Sequence, residues 1–216
     1  MKKILLTIIP VLLAVSGFCQ ELQPVKLDNE VTVSLFANYQ KKDTLNQTTY
    51  SANALDGYMV VIREANDKSN APLKRASELN NVMKTYIKGI QAQSLNSVAE
   101  NVRDTTINSL KAKVFTLKTD NGGDVSLRDF VLLYTKDVTY TFEYVYNPET
   151  IDFAKKEGKA FFSSIRTASD LEWNDQYISQ ATGLTTINKI EIAAGGAAVI
   201  ILVIVLINRR KKTAIG

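Results

Sequence analysis

No histidine occurs anywhere in the 216 residues, and the single cysteine, Cys19, sits at the end of an N-terminal apolar leader. These two absences exclude disulfides, thiol nucleophiles and Ser-His-Asp triads from the body of the chain. They also exclude zinc or haem held by His or Cys and a histidine pH switch. With no crosslink to help, the body must be held by its own apolar core, which about 150 residues can supply.

Long apolar runs occur only at the two ends. Lys2-Lys3, the apolar stretch from Ile4 to Val15 and the small residues Ser16 and Gly17 have the three parts of a secretory signal, with cleavage expected near Cys19/Gln20. Phe18 stands where a lipidated Cys19 would need a small residue. Ile192 to Ile207 is uninterrupted apolar sequence, stopped by Asn208-Arg209-Arg210-Lys211-Lys212. As a helix it would rise about 24 Å against about 30 Å of hydrocarbon, a gap that snorkelling by Arg209 and Arg210 or local thinning can close. Ile192, Ile207, Arg209, Arg210, Lys211 and Lys212 are thus the candidate membrane-anchor residues. The basic end places residues 209–216 in the cytoplasm and the body outside it, in a bacterial inner membrane crossed once. A cleaved sorting tail is the alternative, but no LPxTG-like motif precedes the run. The expected division is signal peptide 1–19, exported domain 20–168, juxtamembrane connector 169–189, transmembrane helix 190–208 and basic tail 209–216.

Charge follows the same division. Without the lysines of the leader and the four basic residues of the tail, 20 basic face 22 acidic residues, so the exported part is near neutral. The overall charge of +4 reports targeting, and nucleic acid is excluded as a partner.

Between the ends, periodicity assigns the elements. Val31-Thr-Val-Ser-Leu35 alternates as a half-buried strand, Met59 to Ile62 gives another, and Thr49 to Ala52 a short one after a polar loop from Lys41 to Thr48. Asn70-Ala71-Pro72 opens a helix with Leu73, Ala76, Leu79, Met83, Tyr86, Ile87 and Ile90 on one face. Four strands follow, near 98–107, 111–118, 125–134 and 138–146, joined by turns such as Asp120-Asn121-Gly122-Gly123. Asn147-Pro148-Glu149 then caps a second helix with Ile151, Ala154, Gly158, Phe161, Phe162 and Ile165 inward.

Three segments, Val31 to Tyr39, the series Leu110–Lys118, Phe130–Tyr134 and Thr139–Tyr144, and the helix ending Phe161-Phe-Ser-Ser-Ile165, together resemble the PsbP-like superfamily over Gln20 to Ala168. The resemblance rests on element order and apolar pattern. It implies an exported, mostly non-catalytic binding or assembly module. The expected fold class is α+β, an antiparallel β-sheet covered by helices as an α/β sandwich, followed by a single transmembrane helix.

Candidate chemistry is sparse. Tyr140, Phe142, Tyr144 and Tyr146 share a strand face, for which core packing is the expected role and stacking on a sugar or partner the alternative. Asp43, Asp120, Asp124, Asp129 and Glu143 lack the spacing of a calcium loop. Asn121-Gly122-Gly123 lacks the Lys-Ser/Thr of a phosphate loop, and Asn46-Gln47-Thr48 matches a glycosylation triplet. No catalytic, cofactor-binding or metal residues are assigned. Trp173 and Tyr177 mark the connector, which is either extended or packed. Ala193, Gly195, Gly196 and Ala197 offer small-residue spacing for helix association.

The expected function is a membrane-tethered, non-catalytic binding or accessory domain with no cofactor. Its expected partners are the membrane and an envelope protein, or a second copy through the anchor. The alternatives are a small hydrolase using only carboxylates and hydroxyls, recognisable by a pocket where such groups converge, and a structural envelope assembly factor.

Overall fold

The structure, a computed structural model, describes residues 21–179. Ten strands and two α-helices run in the order β1 (Leu22–Lys26), β2 (Val31–Phe36), β3 (Gln40–Asp43), β4 (Gln47–Asn53), β5 (Gly57–Ala65), α1 (Ala76–Gln93), β6 (Ser97–Ile107), β7 (Leu110–Asp120), β8 (Val125–Tyr134), β9 (Val138–Tyr146), α2 (Ile151–Ser163) and β10 (Arg166–Thr167). The large sheet has the order β3-β4-β5-β9-β8-β7-β6 and is antiparallel throughout. A small sheet, β1-β2-β10, stands apart from it.

Alternation sends each large strand's side chains to two faces, and each face is closed differently. On one, Leu79, Val82, Met83, Tyr86, Ile87 and Ile90 of α1 bury Phe115, Leu117, Phe130 and Leu132. Phe115 and Phe130 stack there at 4.5 Å between centroids and 3° between planes. On the other, Val31, Val33 and Leu35 of β2 join Ala154, Phe161 and Ile165 to cover Met59, Val61, Val131, Leu133 and the row Tyr140, Phe142, Tyr144, Tyr146. That aromatic row is core, each member at most 6% exposed.

The expectation of a sheet sandwiched by helices is corrected here. Strands dominate, only two α-helices occur among the described residues, and a second β-sheet shares in closing one face. The physical reason is non-local: β2, whose alternation reads as one more strand of a single sheet, leaves it to pair with β1 and with Arg166–Thr167 far along the chain. No helix among the described residues is long and apolar enough to cross a membrane. Ile192, Ile207, Arg209, Arg210, Lys211 and Lys212 lie outside the described residues, as do the leader and residues 193–197.

The approach to α1 and the segment after β10 are held together. Helix α1 starts at Ala76 and not near Pro72, because Leu73 stays extended: its carbonyl accepts from the Ile178 N–H at 2.9 Å, beside a parallel bridge between Arg75 and Ser179. Residues 169–179 therefore pack on the domain. Tyr177 joins the α1 core, and the fully buried Gln176 amide bonds the Lys111 N–H and the Lys111 and Tyr134 carbonyls at 2.7–2.8 Å.

Candidate functional site

Helix α2 lies on β9 closely enough that a Cβ on Gly158 would stand 3.2 Å from the Tyr144 ring. Between α2 and the sheet margin at β6, a groove of about 450 Å³ is left open. That is within the size range of small-molecule sites. Val114 of β7 with Asp129 and Val131 of β8 form its floor, and Lys155, Gly158, Lys159, Phe162 and Ser163 of α2 form one wall. Asn101, Arg103, Thr105 and Ile107 of β6 form the far rim.

A β-bulge determines what β6 contributes. Ala99 and Arg103 are four residues apart and would share a face in a regular strand. The register shifts by one residue between Glu100 and Arg103, with Asn101 at φ 55°, in the left-handed region. Ala99 consequently packs on the α1 side, whereas Arg103, opposite Val114, lines the groove.

The groove is cationic at its edges and carries one carboxylate below. Arg103, Lys155 and Lys159 are exposed, and none forms an ion pair among the described residues. Asp129 accepts from the Thr116 hydroxyl at 2.6 Å and, through its other oxygen, from the Tyr146 hydroxyl at 3.2 Å. Burial and the neighbouring Asp129 push the Tyr146 phenol far above its ordinary value, so it remains a donor.

The other carboxylates are dispersed. Asp43 bonds Thr48 and Lys41 in the β3–β4 hairpin, and Asp120 accepts from Gly123 N–H in the β7–β8 turn. Asp124 shares that turn, its carbonyl accepting from the Asn121 N–H. Glu143 pairs with buried Arg128 on the α1 face. Asn46 lies in the β3–β4 turn while Gln47 and Thr48 open strand β4, and no group of three or more His, Cys, Asp or Glu suited to a metal occurs among the described residues.

The pair nearest to a hydrolytic dyad is Asp28 with Glu30, bridged by the Tyr140 hydroxyl at 2.6 and 3.4 Å. Asp28 is already saturated. Its oxygens accept from Glu30 N–H, Val31 N–H, Arg63 Nε and Tyr140. Burial opposes its charge, but these donors outweigh burial and hold the carboxyl below its usual range. Glu30 is raised by burial and by Asp28 beside it. With Asp28's oxygens committed to four donors, the cluster is a clamp that fastens the β1–β2 connection to the large sheet.

Sequence reasoning missed Arg103, Lys155 and Lys159 because they come from elements about fifty residues apart. The available signal was local: two lysines four residues apart on α2, flanking the glycine that brings the helix down onto the sheet.

No protein-family model matches the sequence, and no curated protein matches it either. Solved structures do. A PsbP protein (CyanoP) from Synechocystis is 14% identical, with a TM-score of 0.45 over 71% of this chain and 96% of that one. LpqN of Mycobacterium tuberculosis, described as involved in cell envelope biogenesis, is 7% identical, with a TM-score of 0.43 over 68% of this chain and 91% of that one. A Bacteroides thetaiotaomicron protein is 8% identical at a TM-score of 0.39 over 65% of this chain, which spans only 46% of its length. The structural neighbours thus include a PsbP protein and an envelope protein at low identity, and at these TM-scores they carry no functional weight.

Proposed function

We propose that this chain is a membrane-tethered, non-catalytic accessory domain on the non-cytoplasmic face of a bacterial inner membrane, and that the groove between α2 and β6 is its binding surface. The observation that carries the binding reading is the groove itself: three cations without ion-pair partners from two elements surround a floor of two valines and one carboxylate. Its single carboxylate is held by two hydroxyls. A hydrolase built on acids and hydroxyls would need a free base aimed at a nucleophile, and Asp28, whose oxygens accept from four donors, is not free for that role.

Tethering is assigned to residues 192–207, and the basic residues 209–212 are placed inside. The test uses the cysteine-free body. In a full-length Cys19→Ser chain, a cysteine at Lys68 or at Thr213 is exposed to a membrane-impermeant maleimide on spheroplasts. The expected result is labelling of Lys68→Cys before lysis and of Thr213→Cys only after it, with the protein in the carbonate-resistant membrane fraction. Labelling of both before lysis, or release by carbonate, overturns the tether.

A further inference from the structure

The groove's two kinds of polar group restrict its ligand. An anion is favoured at the rim, where Arg103 and Lys159 have no competing carboxylate partner, and a guanidinium matches phosphate oxygens in a two-point contact. The same anion is disfavoured at the floor by Asp129. That carboxylate is acceptor-only, and each oxygen takes one protein hydroxyl, leaving lone pairs for further donors. A ligand satisfying both must carry its negative charge at one end and hydroxyls at the other. The half-buried Val114 and Phe162 add apolar surface that a purely hydrophilic anion would leave wet.

We infer that the groove between α2 and β6 binds the phosphate-and-polyol headgroup of an anionic bilayer lipid, with the phosphate at Arg103 and Lys159 and the hydroxyls at Asp129. The lipid source rests on the tethering proposed above, which keeps the domain within reach of a bilayer; the headgroup chemistry rests on the groove alone.

The test is titration calorimetry on the full-length protein in phosphatidylcholine nanodiscs, with sn-glycerol 3-phosphate and inorganic phosphate as probes. Saturable binding of glycerol phosphate, tighter than inorganic phosphate, is expected. Arg103→Ser/Lys159→Ser should weaken it by about tenfold or more with an unchanged circular dichroism spectrum. Asp129→Asn should reduce the preference over inorganic phosphate. Nanodiscs containing phosphatidylglycerol should compete with the soluble probe. Equal binding by wild type and the double variant overturns the site, and equal binding of the two probes overturns polyol recognition. Binding without competition by phosphatidylglycerol overturns the lipid source and leaves a soluble polyol phosphate. The glycerol phosphate titration reads the groove alone and is run in nanodisc-free buffer if carbonate releases the protein, so the two readings fail separately.

Discussion

Arg128 and Glu143 face each other across β8 and β9 with Nε and Oε1 2.6 Å apart, their side chains only 9% and 2% exposed. Arg128 also reaches the Ser94 hydroxyl at 3.2 Å and lies 5.2 Å from the Phe130 ring, while its Nη2 is buried without an acceptor among the described residues. Removing one partner strands the other charge in the core. Glu143→Gln or Arg128→Met alone should therefore cost about 3–5 kcal/mol, and an apolar double replacement should recover most of it. Urea denaturation of the three variants checks this, and a double variant as unstable as the sum of the singles would contradict it.

Glycine substitutions should separate by sign. A Cβ at Gly57 would lie 2.6 Å from the Tyr144 ring and from the Val145 carbonyl oxygen, so Gly57→Ala should destabilise by about 1–3 kcal/mol. Gly89 lies within α1 with nothing within 4 Å of the added carbon, so Gly89→Ala should stabilise by about 0.5–1 kcal/mol. Thermal melts of the pair read both directions in one experiment.

Acid should weaken the Asp28 clamp. Its folded carboxyl titrates below the ordinary value of 3.8, so the unfolded chain binds the proton more tightly. The clamp's contribution is complete above that value and is lost as pH falls through the lower folded one. Asp28→Asn should accordingly flatten the stability profile below pH 4 relative to wild type. Parallel profiles would remove Asp28 from the acid response.

Gln176 should behave as a core residue despite lying near the end of the described chain. Gln176→Ala leaves the Lys111 amide and carbonyl and the Tyr134 carbonyl short of a partner, at a cost of about 2–4 kcal/mol. Hydrogen exchange should accelerate over residues 173–178 before the rest of the domain opens.

Which elements sequence could disclose depends on which contacts are local. Strands β6 to β9 lie within one or two residues of their expected bounds, because each pairs with the next across a short turn and each alternates. The row from Tyr140 to Tyr146 was legible as core for the same reason. Strand β3 has four exposed residues and no apolar period to detect. Strand β10 is two residues defined only by a partner about 135 positions earlier. The groove was invisible because a period of two places Ala99 and Arg103 on one face, and the extra residue at the bulge separates them.

The attachment of Gln176 also decides where a pull on the C-terminal segment would be felt. Its amide holds the main chain of two neighbouring strands, Lys111 on β7 and Tyr134 on β8, and Ile178 is bonded to Leu73 just beyond. Tension applied beyond Ser179 is therefore shared between the large sheet and the approach to α1. The two-residue strand β10, which such a load would otherwise peel away first, is shielded behind that junction.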